Sequence, residues 1–213
     1  MFRTLVLTTA LLGTTALAPY AQEMVALKDM PAGTYMLDKS HASLTFSLSH
    51  MGLSNYTARF TGLESTLTLN PTAPEQSKVT ARVDPASIET DFPYPEKKDF
   101  DKELATGKDW LNSTAFPTIT FTSTKLVKTG EKTGKMTGDL TFMGVTKPLT
   151  FDVTFNGAYT KKPISGNPAV GFSAVATLKR SEWGLSTYVP MVGDEVTLRL
   201  ETEFEQLTPQ RPE

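Results

Sequence analysis

Apolar and polar residues alternate with a period of two along most of the chain, most clearly between residues 42 and 50. Leu44, Phe46 and Leu48 alternate there with serine and threonine. This pattern is typical of a β-strand with one apolar and one polar face. By parity, His50 ends the apolar face and His41 begins the polar face, so the two histidines of the chain are predicted to point in opposite directions.

The same alternation predicts strands on both sides of this segment. The predicted strands cover residues 35–39, 42–50, 56–69, 79–83, 119–121, 140–142, 149–155, 170–178 and 196–204. The stretch 56–69 is one strand or two, because Gly62 interrupts it and a glycine inside a strand is typical of a bulge. About eight or nine strands with short connections predict an all-β protein, either an antiparallel barrel or a sandwich.

The distribution of side chains favours the barrel. Phenylalanine recurs on the apolar faces of many predicted strands, whereas nearly every opposite face carries threonine and charged residues. We therefore predict an extended antiparallel β-barrel of about eight strands, whose interior is either filled by side chains or open to a ligand.

Residues 93–110 break the alternation and are rich in charge. Phe100 and Leu104 lie four residues apart within them, a spacing that predicts a short helix near residues 97–110 with one apolar side. Pro117 then prevents the helix from continuing, because proline lacks the backbone N–H that a helix interior needs. A helix of this size is expected to cover one end of a barrel.

Charge and cysteine content exclude several classes of protein. The formal net charge is −2, and a nucleic-acid-binding surface needs an excess of basic residues, so nucleic acid is not an expected partner. The chain has no cysteine, which excludes a disulfide scaffold, a thiolate metal site and a cysteine nucleophile. It also excludes a lipid-modified cysteine, so no stable membrane anchor is expected.

The N-terminal segment has the pattern of a secretory signal. Arg3 precedes an apolar run from residue 5 to residue 17, and small residues follow up to Ala21. The run is too short for a comfortable membrane span, and polar chain follows it. We predict a cleaved signal peptide over residues 1–21 and a single domain over residues 22–213.

Candidate metal ligands lie around the first clear strand. Asp38, His41 and His50 are suitable ligand types. The two histidines are nine residues apart, about 30 Å along a strand at ~3.3 Å per residue, and they face opposite sides. We therefore predict no metal site. His41 is expected to make a turn contact with Asp38, and His50 to be either a polar group at the mouth of the interior or a histidine satisfied by neighbouring backbone.

Motifs that would indicate an enzyme do not occur. The chain contains neither Gly-x-Ser-x-Gly nor His-Glu-x-x-His, and two histidines without a cysteine offer few groups for acid–base chemistry. Residues 130–135 superficially resemble a phosphate-binding loop, but the spacing is one residue short and a hairpin turn explains it better. Tyr56, Arg59 and Lys147 are interpreted as exposed residues more readily than as ligands of a polar head group. We predict that the chain is not an enzyme.

A succession of short sequence blocks extends over nearly the whole predicted domain. The blocks are L-D-x-x-H at residues 37–41 with H-x-G at 50–52, P-x-I-x-F at 117–121, G-D-L-T-F-M-G-V-T-K-P-L at 138–149, R-x-x-W-G at 180–184 and V-G-D-E-V at 192–196. In this order they resemble the YceI-like family, the bacterial periplasmic polyisoprenoid-binding proteins. The resemblance runs from about residue 35 to residue 204, and Trp183 stands where the family often has phenylalanine.

The resemblance implies a lipocalin-like barrel with a long internal channel. It implies that the channel holds a long-chain isoprenoid, an isoprenoid quinone or a similar amphiphilic lipid, and that the protein is exported to the periplasm of a Gram-negative bacterium. The residues then expected to line the channel and bind the ligand are Leu44, Phe46, Leu48, His50, Phe121, Phe142, Phe151, Phe155, Phe172 and Trp183.

The resulting functional hypotheses belong to different classes. The first is a carrier that transports, stores or sequesters such a lipid and uses no other cofactor. The second is an enzyme acting on an isoprenoid lipid, with His50 as the acid–base residue. The third is a barrel with a filled core that is the partner of a membrane redox protein. A homodimer is left open. The residues alone do not separate a packed core from a ligand channel, because both need inward apolar side chains.

Overall fold

The computed structural model describes residues 23–207, and within them the chain forms eleven β-strands and one α-helix. The strands are β1 (Gly33–Leu37), β2 (Ser43–His50), β3 (Ser54–Phe60), β4 (Leu63–Leu69), β5 (Lys78–Val83), β6 (Ile88–Glu89), β7 (Ile119–Lys128), β8 (Thr133–Phe142), β9 (Val145–Tyr159), β10 (Ala169–Lys179) and β11 (Val192–Glu205), and the helix is α1 (Phe100–Thr106). The predicted signal peptide over residues 1–21 lies outside the described residues.

Eight of the strands close into a barrel. Their order is β1-β4-β5-β7-β8-β9-β10-β11, and β11 pairs again with β1. Neighbouring strands are antiparallel throughout, as short connections between successive strands require. The predicted all-β, extended antiparallel barrel of about eight strands is confirmed.

The remaining strands lengthen one end of the barrel wall. Strands β1 and β2 both pair with β11, one after the other. Leu37 of β1 pairs with Phe204 of β11, and Leu44 of β2 pairs with Leu200 of β11. Strand β3 then pairs with β2 and with the short β6. The barrel is therefore deeper than its eight closed strands alone would make it.

Gly62 separates β3 from β4, at the interruption that the sequence predicts. Strand β4 pairs with β1 and β5, whereas β3 pairs with β2 and β6, so the chain changes neighbours at this point. A Cβ atom at Gly62 would lie 2.8 Å from the Ser87 hydroxyl and 2.9 Å from the Asp84 Cβ. Only glycine lets the two segments approach this closely.

Helix α1 is shorter than predicted from residues 97–110. It begins after Asp99, whose side chain accepts a hydrogen bond from the Lys102 backbone N–H (3.1 Å) and thereby caps the helix. It ends at Thr106 because Gly107 takes an extended backbone conformation. The pattern located the helix, whereas the two caps set its length.

The barrel has two structurally different ends. At the helix end lie α1 and the loops β2–β3 and β10–β11, which are joined by a hydrogen bond from the Met51 N–H to the Met191 carbonyl (2.7 Å). At the N-terminal end lie residues 23–32 and the loops β4–β5, β7–β8 and β9–β10. There the Val25 N–H donates to the Ala158 carbonyl of β9 (2.9 Å).

Buried apolar side chains form two clusters, one toward each end. Leu104 of α1 and Leu185 belong to the cluster at the helix end, and Met30 and Val170 belong to the other. Three half-buried residues pack against both clusters: Phe60, Ile119 and Leu200.

No helix between residues 23 and 207 has the length and apolar character needed to cross a membrane.

Candidate functional site

The inward faces of the strands are less buried in the middle of the barrel than toward its ends. On β10, Val170 and Leu178 are 1% and 9% exposed, whereas Phe172 and Ala174 between them are only half-buried. Inward side chains of a filled barrel would be buried along the whole strand. The pattern therefore marks an open space in the middle of the barrel.

This space is a cavity of about 1310 Å³, and the residues that line it extend from one end of the barrel to the other. A typical small-molecule pocket measures roughly 300–1,000 Å³. The wall consists mainly of leucine, valine and phenylalanine side chains from the barrel strands. The interior is thus not filled by side chains, and the alternative of a filled barrel core is wrong.

Phenylalanine rings pack in pairs on the cavity wall. The pairs are Phe46–Phe60, Phe121–Phe151 and Phe155–Phe172, with ring centroids 5.5, 5.3 and 5.7 Å apart. These separations are in the range of favourable aromatic contacts. The rings therefore stabilise the wall itself and also present an apolar surface to the cavity.

The structure brings most of the predicted ligand-binding residues onto this wall. The predicted residues that line the cavity are Leu44, Phe46, Leu48, His50, Phe121, Phe142, Phe151, Phe155 and Phe172. His50 is exposed at the end of β2, where it pairs with Val192 of β11. It therefore lies at the helix-end mouth, as the parity of the strand predicts.

Trp183 does not line the cavity, so its predicted place in the channel is wrong. It belongs to the short 3-10 helix Arg180–Trp183 that follows β10, and this turn takes it out of the alternation of the strand. The side chain is 3% exposed, and its Nε1–H donates to the Leu140 carbonyl (3.4 Å). Trp183 packs in the apolar cluster toward the helix end.

Tyr56 is a cavity residue that the sequence interpretation treated as exposed. It is half-buried and lines the cavity from β3. Burial raises the pKa of its hydroxyl group. The alternation in the sequence indicates this position, because Tyr56 lies on the same face of its strand as Ala58 and Phe60. Arg59, on the opposite face, is exposed, as expected, and it forms an ion pair with Glu89.

The helix-end mouth is formed by elements that contact one another. Trp110, just after α1, packs against Tyr188 of the β10–β11 loop with ring centroids 5.9 Å apart. The Thr187 hydroxyl donates to the Asp109 carbonyl (2.5 Å). Both aromatic residues line the cavity. The helix segment and the loop therefore close around the mouth as one unit.

Arg180 holds the β10–β11 loop in place. Its buried guanidinium donates to the backbone carbonyls of Leu185 (3.1 Å), Thr187 (2.8 Å), Val192 (2.8 Å) and Gly193 (2.9 Å). Burial lowers the pKa of Arg180. The arginine of the R-x-x-W-G block therefore has a structural role, which is to satisfy carbonyls of the β10–β11 loop and of the first residues of β11.

The mouth at the N-terminal end is closed by different means. Residues 24–28 lie across it, and Val25 is hydrogen-bonded to β9. The β7–β8 hairpin contributes Lys128, Glu131 and Lys132 to the same edge. This hairpin contains the glycine-rich stretch 130–135, so the predicted turn is confirmed.

The predicted turn contact between His41 and Asp38 is present, with 2.7 Å between Nδ1 and Oδ2. His41, Asp38 and Glu203 offer ligand atoms within 4.8 Å of one another. However, the Lys162 ammonium lies 3.0 Å from Asp38, 2.7 Å from Glu203 and 2.8 Å from Glu205. A positive charge of the protein itself therefore occupies the position that a metal ion would take. His50 lies at the far end of β2 and does not join this cluster.

The charges of this cluster support one another. The hydrogen bond from Ser40 lowers the pKa of Asp38 most, burial opposes it, and His41 and Lys162 lower it further. Burial lowers the pKa of Lys162, but its carboxylate partners outweigh this effect and raise it overall. The cluster therefore ties the turn before β2 to β11 and to the β9–β10 loop.

A closed antiparallel barrel around a long apolar cavity defines a lipocalin-like binding fold. The chain belongs to the YceI-like family, because the profile of the YceI-like domain matches residues 35–204. The UPF0312 protein of Pseudomonas fluorescens SBW25 is 38% identical over 156 residues, which cover 72% of this chain and 77% of the relative. The resemblance read from the sequence blocks is confirmed.

Solved structures show the same fold. The Campylobacter jejuni YCEI protein superposes with a TM-score of 0.64 at 26% identity over 75% of this chain and 90% of its own. A polyisoprenoid binding domain from Saccharophagus degradans, implicated in plant cell wall breakdown, superposes with a TM-score of 0.58 at 13% identity over 81% of this chain and 98% of its own. At this level of identity the second comparison establishes the fold alone.

Proposed function

We propose that this protein binds a long-chain isoprenoid, an isoprenoid quinone or a similar amphiphilic lipid inside the barrel, and that it carries or sequesters this lipid. The observation that carries the proposal is the apolar cavity of about 1310 Å³. The polyisoprenoid binding domain with the same fold adds support. A barrel with a cavity of this size and apolar lining is suited to a long, flexible, apolar ligand.

The energetics of transfer favour a long chain over a short one. Each buried methylene contributes about 0.8 kcal/mol, whereas association costs roughly 4–15 kcal/mol. Something like 5 to 20 buried methylenes are therefore needed before binding becomes favourable. Relative to a membrane, the gain for each methylene nearly cancels, so the lipid would exchange reversibly between the barrel and a bilayer.

The polar groups on the wall suit a head group at the helix-end mouth. His50 and Tyr56 lie on neighbouring strands and line the cavity. Their imidazole and hydroxyl groups offer hydrogen bonds to a quinone carbonyl or to an alcohol. In this arrangement the isoprenoid tail extends along the phenylalanine pairs toward the N-terminal end.

We propose a binding protein in preference to an enzyme. His50 is exposed at the end of β2, whereas an acid–base residue needs a partner that holds its ring in position for proton transfer. We also propose that the protein is exported to the periplasm, on the basis of the signal pattern in residues 1–21. N-terminal sequencing of the periplasmic protein tests export: a start near residue 22 supports it, and an intact Met1 contradicts it.

A cavity-filling variant tests the binding proposal. Ala174 is half-buried on the inward face of β10, and Ala174→Trp would place an indole in the cavity. The matched control is Thr177→Trp on the outward, exposed face of the same strand. Native mass spectrometry without detergent is expected to show bound lipid on the wild type and on the control, and much less on Ala174→Trp. An empty wild type that takes up no prenyl lipid would contradict the proposal.

A further inference from the structure

Two adjacent loops at the helix end expose large apolar side chains. Met51, Leu53, Tyr188, Val189 and Met191, which we term the apolar rim, are between 37% and 85% exposed. The β2–β3 and β10–β11 loops that carry them are held together by the Met51–Met191 backbone hydrogen bond of 2.7 Å. Isolated exposed apolar residues are common, but contiguous ones mark an interaction surface.

The apolar rim is continuous with the cavity. Tyr188 belongs to the rim and lines the cavity as well. His50 and Val192, which also line the cavity, are paired with each other and directly adjoin Met51 and Met191 in the chain. The rim therefore borders the opening through which a ligand would enter or leave.

These loops are free of formal charge, in contrast to those at the other mouth. Residues 40–58 and 183–193 contain no Asp, Glu, Lys or Arg, although 21% of the chain is charged. The β7–β8 and β9–β10 loops at the N-terminal end carry Lys132 and Lys161 among other charges. Transferring an unpaired charge out of water is costly. The helix-end loops can therefore leave water at little electrostatic cost.

The size and shape of the rim fit a lipid surface better than a second protein chain. A large side chain presents about 150–250 Å² when fully exposed, so the rim exposes on the order of 500 Å². A standard protein interface buries roughly 800 Å² on each partner. Met51 and Tyr188 have φ angles of 53° and 60°, which mark tight turns, and the two residues are 59% and 58% exposed. Projecting apolar tips can enter the apolar region of a bilayer without a complementary surface.

We propose that the apolar rim docks the helix-end mouth onto the surface of a lipid bilayer. Trp110 packs against Tyr188 of the rim, and both are residue types that favour the boundary between apolar and aqueous phases. Docking would let a lipid pass between bilayer and cavity without crossing water. That role in transfer rests on the proposed function, whereas docking itself does not require a loaded cavity.

Vesicle flotation tests the docking. The protein isolated from the cells that produce it is mixed with vesicles of phosphatidylethanolamine and phosphatidylglycerol. The test variant is Leu53→Ser combined with Met191→Ser. The matched control is Ile164→Ser combined with Leu207→Ser, which removes exposed apolar side chains from the N-terminal end. We expect the wild type and the control to float with the vesicles and the rim variant to partition about tenfold more weakly.

Three other outcomes overturn the docking proposal. A wild type that does not bind vesicles, or equal losses in the rim variant and the control, excludes a specific docking surface. A dimer in solution that the rim variant makes monomeric, without vesicle binding, shows that a second copy covers the rim. A native mass spectrum of the same samples reports the cavity contents separately. Vesicle binding by a protein that never holds lipid would therefore leave the docking intact and refute only the proposed function.

Discussion

Replacement of Arg180 by methionine should destabilise the protein strongly, although the residue lies in no regular strand or α-helix. The side chain is 3% exposed and donates four hydrogen bonds to backbone carbonyls of the β10–β11 region. Methionine keeps the approximate length of the side chain but offers no donor. Every one of these carbonyls would therefore lose its partner.

The expected magnitude follows from the cost of such losses. Hydrogen bonds to charged groups contribute about 1.5–3 kcal/mol each. Part of this cost is recovered because water reaches the loop once it loosens. We therefore expect Arg180→Met to lower the free energy of unfolding by about 3–5 kcal/mol. Arg180→Lys should recover little of it, since an ammonium cannot reproduce the planar fork of the guanidinium.

Urea denaturation followed by far-UV circular dichroism measures this change. The control is Arg199→Met on β11, where the arginine is exposed, and it should change stability by no more than about 0.5 kcal/mol. The slope with denaturant should stay constant in both variants if folding remains two-state. If Arg180→Met cost less than about 1 kcal/mol, the carbonyls would have other partners and the structural role assigned to Arg180 would be wrong.

Other expected outcomes concern the charge cluster and the cavity wall. Lys162→Met should cost about 2–4 kcal/mol at pH 7, and less toward pH 3 in chemical denaturation, because protonation relieves the carboxylates left without a cation. In the wild type, the lowered pKa of Asp38 stabilises the fold above about pH 4 and ceases to do so as the pH falls through the lower folded value. Phe151→Asp should abolish lipid retention in native mass spectra and lower stability; normal retention would exclude Phe151 from the binding surface. Gly138→Val should lower stability and reduce lipid uptake by displacing Phe121, since a Cβ at Gly138 would overlap that ring; unchanged uptake and stability would contradict this.

Alternation with a period of two was a reliable guide to strands because each strand has one face toward the interior and one toward water. It located the C-terminal strands β9, β10 and β11 to within a few residues. The same rule placed His50 at the end of the apolar face, and in the structure His50 lines the cavity. Applied consistently, it would also have placed Tyr56 there, because Tyr56 shares the parity of Phe60.

The rule failed where the backbone leaves the extended conformation. Trp183 follows β10 in the chain, but the 3-10 helix that begins at Arg180 turns it away from the cavity. Strand β1 likewise ends at Leu37, before the predicted end at residue 39, because a 3-10 turn capped by Asp38 begins at Lys39. Such turns depend on a few hydrogen bonds and not on a periodic pattern.

The sequence by itself determined the class of fold, the inward and outward faces of the strands, the absence of cysteine chemistry and the family. Each of these follows from local composition, periodicity or short blocks of residues. Only the tertiary structure decided that the interior is open, since apolar inward faces are equally compatible with a packed core. It also decided which mouth carries the charge-free loops and which lysine neutralises the carboxylates near His41. These features arise from contacts between residues far apart in the chain, such as Lys162 and Asp38, which no local pattern specifies.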